Sequence, residues 1–327
     1  MNLVEADVRA GTPADPSAPV VVGWDEPDRQ GRRWTAAVLG GAMLVCVGVA
    51  LRLWSPSPLW LDEAQAVAIA RLPLGELLDA LRQDGAPPLY YLLLHGWMRA
   101  FGTGAAAVRL LSVLLSLGSL VLAWQAAVHL GGRRVGAAAV VLLATSPFAI
   151  RYASEARMYS LILVLAMGGL VLVLDPRPLN RRRSAGVGLV VAALLLTHYW
   201  SFVLVAALVM VLGWRLARRR PPGPGPGLLL AAVLAGAVPF LPWVPSLLFQ
   251  LRHTGAPWAP APGMAAVELA IRGFAGGDGD AARLLELLLL AVLGWFVLSQ
   301  TSARLPSGVV RLTRDRPWPA TTLAGLG

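Results

Sequence analysis

The chain has 327 residues, of which 57% are hydrophobic and 14% are charged, and its mean hydropathy is +0.64. An ordinary soluble domain carries about 25% charged residues, so the composition excludes that class and indicates an integral membrane protein. The net charge is +10 and all basic residues are arginines, but they cluster between apolar segments, which indicates membrane orientation and no nucleic-acid partner.

The N-terminal stretch is rich in Pro, Asp and Ala and has no long apolar run, so residues 1–33 are predicted to be a disordered cytoplasmic tail. Trp34 to Leu53 is apolar and, at about 20 residues, long enough to cross a bilayer. Arginines precede it, which places the N-terminus in the cytoplasm. The single cysteine, Cys46, lies within this segment and excludes a disulfide framework.

Seven further apolar segments follow, approximately Val108–Leu130, Val135–Ile150, Met158–Leu174, Ala185–Thr197, Ser201–Leu216, Leu228–Gln250 and Arg283–Gln300. Arginine-rich connections separate alternate pairs, and placing these connections inside gives eight spans with both termini in the cytoplasm. The predicted fold is therefore all-α and polytopic, with a transmembrane domain over residues 34–300 and a cytoplasmic tail over 301–327. The predicted location is the plasma membrane, with multiple passes.

The first outer loop, residues 54–109, contains the adjacent acids Asp62 and Glu63. Further along it, leucines recur with helical spacing at positions 74, 77, 78 and 81, which predicts an amphipathic helix on the membrane surface. The stretch Pro88 to Phe101 is too short to span and is predicted to be a re-entrant or surface helix.

The remaining outer loops are shorter and also polar. The second runs from Arg151 to Tyr159 and includes Glu155, the third is the tip Thr197 to Trp200, and the fourth follows Leu251. The deep parts of the spans contain no Asp, Glu or Lys, whereas ion-coupled transporters usually keep an ionisable group there. The pattern favours chemistry at the outer surface.

Several short motifs in this order resemble a known family. They are Leu59-Trp60-Leu61-Asp62-Glu63-Ala64, Asp84-Gly85-Ala86-Pro87-Pro88-Leu89-Tyr90-Tyr91, Arg109-Leu110-Leu111-Ser112, and Ser146-Pro147 leading to Glu155-Ala156-Arg157-Met158-Tyr159. Together they resemble the GT-C membrane glycosyltransferases, most closely the protein O-mannosyltransferase and RgtA/B/C/D-like group. The resemblance covers about residues 35 to 215.

The resemblance implies an inverting sugar transfer on the outer face. The donor would be a polyprenyl-phosphate sugar, carrying a mannose-type hexose or a pentose, and the acceptor a cell-envelope lipid, glycan or protein. It further implies that Asp62 acts as or near the catalytic base and that Glu155 completes the site. Relatives often have histidine where this chain has Ala86, so no cofactor is certain and a divalent metal stays open.

The residue types support this chemistry independently of the family resemblance. A carboxylate, Asp62 with Glu63 in support, can take a proton from an acceptor hydroxyl, and Arg157 and Arg151 can hold the leaving phosphate. Further candidates for substrate contact are Tyr159, Asp84, Tyr90, His198 and Tyr199.

Each candidate also has a structural interpretation. Asp62 can cap its helix with Gln65, Glu63 can be a favourable first-turn acid, and Glu155 can pair with Arg157. Arg151 can be an interfacial anchor, Asp84 a helix cap, His198 a polar tip residue, and Tyr90 and Tyr91 belt aromatics. Two other functions also stay open, a lipid-linked saccharide flippase or transporter and a non-catalytic membrane assembly subunit.

Overall fold

The computed structural model describes residues 29–54, 57–218, 225–254, 263–274, 302–304 and 311–313. The chain divides into two compact units, Met1–Gly40 and Gly41–Gly327. In the first unit the described residues are the opening turns of helix α1. The second unit contains the candidate site.

Within the described ranges the elements follow in this order: α1 Arg29–Leu53, α2 Leu61–Ala70, α3 Leu74–Asp84, α4 Leu89–Phe101, α5 Ala105–Thr145, α6 Pro147–Ala153, α7 Tyr159–Leu174, α8 Arg181–Thr197, α9 Ser201–Ala217, α10 Gly225–Ala237, a 3₁₀ segment Val238–Trp243, α11 Val244–His253, α12 Met264–Phe274, β1 Ser302–Arg304 and β2 Arg311–Thr313. The two strands pair antiparallel. Apart from this short pair, the described chain is helical, as the sequence predicted.

Most helices coincide with predicted apolar segments. Helix α7 begins one residue from the predicted start, whereas α8 begins at Arg181, earlier than expected, because the Asn180 side chain accepts a hydrogen bond from Arg183 N at 2.9 Å and caps the helix. Helix α1 begins at Arg29, inside the predicted tail. The predicted segment Arg283–Gln300 lies outside the described residues, and the domain boundaries stay a prediction.

Helix α5 is a helical hairpin. Its backbone leaves helical geometry at Gly131 and Gly132, and Gly132 has a φ of 81°, a conformation that favours glycine. In a straight helix residues 128 and 136 would lie about 12 Å apart. A Cβ on Gly136 would instead stand 2.7 Å from the Val128 side chain, so the chain folds back on itself in the connection predicted between the apolar segments that end at Leu130 and begin at Val135.

The predicted first outer loop packs into a hydrophobic core that also includes Ala156 and Met158 of the second loop and Leu161 of α7. Helices α2, α3 and α4 and the start of α5 bury, among others, Leu77, Leu81, Tyr90, Leu94 and Val108. Helix α3 is amphipathic as predicted, but Leu77 and Leu81 are fully buried against protein while Leu74 and Leu78 are exposed. Part of the apolar face therefore packs on the domain and not on the membrane.

Two described helical stretches are long and apolar enough to cross a bilayer, Ala105–Thr145 and Gly225–His253. Shorter apolar helices run over Val38–Leu53, Tyr159–Leu174 and Ser201–Ala217. Length and composition alone define these segments, so the count of eight spans and the re-entrant placement of α4 stay predictions.

Candidate active site

The adjacent acids Asp62 and Glu63 both lie in the first turn of α2, whose N-cap is Trp60. Neighbouring helical side chains point in different directions, about 100° apart. Accordingly the Asp62 side chain is 40% exposed, whereas Glu63 is fully buried. Since Asp62 lies inside the helix, the expected Asp62 cap with Gln65 is wrong, and Glu63 instead accepts the Trp60 N–H at 3.2 Å.

Glu63 is held by Arg109 from the start of α5. Arg109 Nε donates to Glu63 Oε1 at 2.8 Å and Arg109 Nη2 donates to Oε2 at 2.5 Å. The backbone N–H of Ala156, in the second outer loop, donates to the same Oε1 at 2.8 Å. Burial alone would raise the pKa of Glu63, but these hydrogen bonds outweigh it and the pKa lies below its ordinary value.

The Glu63–Arg109 pair also fixes the approach to α2. Arg109 Nη1 donates to the Ser57 carbonyl at 2.7 Å and Nη2 to the Pro58 carbonyl at 3.0 Å. One buried ion pair thus joins the start of α2, the start of α5 and the second outer loop. Arg109 begins one of the motifs that carry the family resemblance, but the sequence alone assigned it no role. An arginine at the edge of an apolar segment was the sequence signal that could have found it.

Asp62 faces Arg157 across the two outer loops. Arg157 Nη2 lies 3.5 Å from Asp62 Oδ2, and Arg157 Nη1 donates to the Asp62 carbonyl at 3.4 Å. The Arg157 side chain is 16% exposed. These contacts bring together the predicted base and one of the predicted phosphate ligands.

The alternative ion pair between Glu155 and Arg157 is not formed, because Glu155 pairs with Arg151. Arg151 Nε lies 3.2 Å from Glu155 Oε1, and the Arg151 side chain is 66% exposed and contacts the Tyr152 ring. Glu155 Oε2 is buried without a hydrogen-bond partner. Burial raises the pKa of Glu155, and the nearby Arg151 only partly offsets this.

An aromatic wall borders Arg157. The rings of Tyr152 and Tyr159 lie 4.2 Å apart, and the Tyr159 ring lies 6.3 Å from that of His198. His198 Nδ1 accepts the Trp200 N–H at 3.1 Å, so the neutral ring carries its proton on Nε2. Burial, followed by the charge of Arg157, lowers the pKa of His198 and keeps the ring neutral.

The predicted residues of the second motif form a supporting layer. Tyr90 and Tyr91 are buried in the outer-loop core, and Tyr91 donates to Asp84 Oδ2 at 3.2 Å. Gln65 donates to the other Asp84 oxygen. Asp84 ends α3 and α4 begins at Leu89 after Pro88, so the expected Asp84 cap is wrong.

Tyr199 belongs to a separate buried network. Its hydroxyl donates to Gln250 Oε1 and accepts from Trp243 Nε1 at 3.0 Å. Gln250 Nε2 in turn donates to the Leu81 carbonyl at 3.0 Å. The network joins the third outer tip to α11 and α3. Gln250 was not singled out from the sequence, since its partners are far away in the chain.

Among the described residues no group of three or more His, Cys, Asp or Glu side chains is placed to hold a metal ion. The divalent metal left open by the sequence therefore has no candidate site in those ranges, and metal dependence stays untested.

One comparison with known proteins finds a match, and it covers part of the chain that forms the candidate site. Residues 85–243, just under half of the chain, match the family model described as dolichyl-phosphate-mannose-protein mannosyltransferase. No curated protein and no solved structure matches. The matched range includes Arg109, Glu155, Arg157 and His198, whereas Asp62 and Glu63 precede it.

The apolar helices and this match support a membrane protein with transmembrane helices and, by class, a glycosyltransferase of the GT-C type. Within that class the chain is mannosyltransferase-like.

Proposed function

We propose that the protein transfers a mannose-type hexose or a pentose from a polyprenyl-phosphate donor to a cell-envelope lipid, glycan or protein. The transfer inverts the configuration at the anomeric carbon and takes place on the outer face of the plasma membrane. The observation that carries the proposal is the Asp62–Arg157 contact, in which a partly exposed carboxylate lies 3.5 Å from a guanidinium. The matched family is described as dolichyl-phosphate-mannose-protein mannosyltransferase, and this description supports the donor class.

The two side chains fit the two ends of an inverting displacement. The acceptor hydroxyl oxygen forms a bond to the anomeric carbon, and Asp62 takes the proton of that hydroxyl. The bond between that carbon and the phosphate oxygen breaks on the opposite side, and the phosphate leaves with the electron pair. Arg157 stabilises the charge that develops on the phosphate with charge-assisted hydrogen bonds.

Glu63 is a positioning residue in this proposal, because both of its oxygens are occupied. Glu155 has a free buried oxygen and a raised pKa, so it can hold a proton near the site and donate it to a substrate oxygen. The neutral His198 presents an Nε2–H donor beside Tyr159. Both are proposed to orient the sugar.

The outer-face assignment is supported by the arginine clusters that separate alternate apolar segments. The outer face has no supply of nucleotide sugars, so a lipid-linked donor suits this location. Its prenyl chain would enter from the bilayer, beside the apolar helices.

The test is transfer by purified full-length protein, with polyprenyl-phosphate mannose and, separately, a nucleotide sugar as donor. Asp62→Asn keeps the side-chain shape but removes the base, so turnover should fall at least about 100-fold while the unfolding temperature is kept. Asp79→Asn, at an exposed acid of α3, is the matched control and should keep full turnover. Wild-type turnover by Asp62→Asn, or transfer from the nucleotide sugar alone, would overturn the proposal.

A further inference from the structure

Arg52 is a buried cation in an apolar helix. It lies in the last turn of α1, and its side chain is the largest of those less than 2% exposed. Within the part of the chain that the structure describes, no carboxylate pairs with it. Since an uncompensated charge in an apolar setting is costly, the guanidinium needs a specific set of acceptors.

Those acceptors come from the ends of two helices. Arg52 donates to the carbonyls of Gly48 and Leu143, each at 2.8 Å, and of Ala144 at 2.5 Å. Gly48 belongs to α1, while Leu143 and Ala144 belong to the last turn of α5, where carbonyls lack partners within the helix. The negative ends of both helix dipoles favour a cation at this point.

The geometry around Arg52 is specific. A Cβ on Gly48 would stand 2.1 Å from the Ala144 carbonyl oxygen, so glycine is required for α1 to approach the end of α5. Directly after Ala144 and Thr145, Ser146 caps α6 by accepting the Ala149 N–H at 3.3 Å. Arg52 therefore holds the junction from which α6 and the second outer loop continue.

A row of polar side chains on α5 connects this junction to the candidate site. Arg109, Ser112 and Ser116 follow at intervals of three and four residues and so share one helix face, and all three are buried. Arg109 holds Glu63, Ser112 Oγ donates to the Arg157 carbonyl at 3.4 Å, and Ser116 Oγ accepts from Arg52 Nε at 3.1 Å.

We propose that Arg52 is a positioning residue for the candidate active site. By fixing the end of α5 against α1 and Ser116, it sets the course of α6 and of the loop over residues 154–158. That course places Arg157 opposite Asp62. The expected change in KM for the lipid donor rests on the proposed function, whereas the expected change in amide exchange of the loop over residues 154–158 does not.

The first measurement is amide hydrogen exchange of the full-length protein in lipid nanodiscs. Arg52→Lys keeps the charge but cannot reach Ser116 and three carbonyls at once. Exchange over residues 147–158, which include the Ala156 N–H bonded to Glu63, should become about tenfold faster while the rest of the protein is unchanged. Ser116→Ala should give a smaller change in the same segment.

Matched controls are Arg99→Lys, at an exposed arginine of α4, and Ser119→Ala, whose hydroxyl donates to the Ser116 carbonyl of its own helix. Neither should alter exchange over residues 147–158. Unchanged exchange in Arg52→Lys overturns the proposal. Exchange that becomes faster evenly over the whole protein also overturns it, because this would show that Arg52 stabilises the protein as a whole and does not position one loop.

The second measurement is the concentration of polyprenyl-phosphate mannose at half-maximal rate. Arg52→Lys should raise this KM about tenfold with kcat changed less than about twofold, because the phosphate-binding Arg157 is displaced and the base is kept. The effect should shrink in an Arg157→Ala background. A wild-type protein that transfers nothing contradicts the proposed function, while a localised exchange change still supports the Arg52 contact. Additive effects of Arg52→Lys and Arg157→Ala overturn the link between the two residues.

Discussion

Asp62 and Glu63 are neighbours in one helical turn, yet one faces Arg157 at the surface and the other is enclosed. The sequence predicted that this pair matters. It did not predict which acid is enclosed, because two of the three groups that bind Glu63, Arg109 and the Ala156 N–H, lie 46 and 93 residues further along the chain. The Glu155–Arg157 pair, the structural alternative for these residues, is near in sequence, but Arg157 lies against Asp62 in space.

Glu63→Gln should act on folding. The amide would direct an N–H₂ group at the donors of Arg109 or Ala156, and breaking such a buried pair costs about 3 to 5 kcal/mol. Thermal unfolding of the purified variant measures this loss. The control is Glu76→Gln, at an exposed position of α3. A Glu63→Gln variant of wild-type stability that has lost turnover would assign Glu63 a chemical role instead.

Arg157→Ala should weaken the donor interaction. Loss of a charge-assisted contact worth about 1.5 to 3 kcal/mol lowers kcat/KM for the lipid donor roughly 10- to 150-fold. Arg157→Lys should recover part of it, because an ammonium supplies charge without the planar fork. Arg71→Ala, at an exposed arginine after α2, serves as the control. Full activity of Arg157→Ala with the lipid donor contradicts the assignment.

Glu155 should make stability depend on pH in the opposite sense to Glu63. Burial raises its pKa on folding above the ordinary value of 4.5, so the folded state binds the extra proton and stability is lost as pH rises from 4.5 through the folded pKa. The unfolding temperature of wild type minus that of Glu155→Gln should therefore be larger at pH 5 than at pH 7.5. An equal difference at both values would refute the raised pKa.

Among the elements, helix α3 shows what a periodic pattern can predict. The leucine spacing predicted both the helix and its amphipathic character. It did not predict the partner of the apolar face, because a leucine pattern is the same whether it meets lipid or protein. Leu77 and Leu81 meet the outer-loop core, and α11 reaches α3 through Gln250, which bonds to the Leu81 carbonyl.

Gln250→Leu should loosen the contact between α3 and α11. The change removes the acceptor of the Tyr199 O–H, which keeps its bond from Trp243, and one of the two donors to the Leu81 carbonyl, which keeps the Gly85 N–H. The loss of these two hydrogen bonds should cost about 0.5 to 1.5 kcal/mol each. Thermal unfolding is the readout, and Gln83→Leu on the exposed side of α3 is the control. Tyr199→Phe should cost less, and the double variant should lose less than the sum of both. Full additivity would argue against a shared network.

For the whole molecule, the sequence predicted the helical class and most of the apolar helices from length and hydropathy, and it predicted the connection within the α5 hairpin from the break between two apolar segments. The arrangement of charges around the site could not be predicted in this way. Arg52, Arg109 and Gln250 each bond to groups far along the chain, and nothing in their own neighbourhood specifies those partners.

The eight-span arrangement predicts which positions face outward. In a Cys46→Ala background, single cysteines at the exposed positions Ser57 and Thr103 should react with an impermeant thiol reagent in intact cells. A cysteine at exposed Ala217 should react only after permeabilisation. Labelling of Ala217 in intact cells without labelling of Thr103 would reverse the orientation.

The ion pair of Glu63 also imposes an order on biosynthesis. At translation rates of about 5 to 20 residues per second, Glu63 leaves the ribosome roughly 5 to 20 seconds before Ala156, the last of its donors. During that interval the carboxylate cannot be enclosed without an unmet acceptor, so the outer-loop core has to stay open. The site can therefore form only after the second outer loop has been synthesised. A chain arrested before Ala156 should have an open first loop that quality-control proteases can cleave.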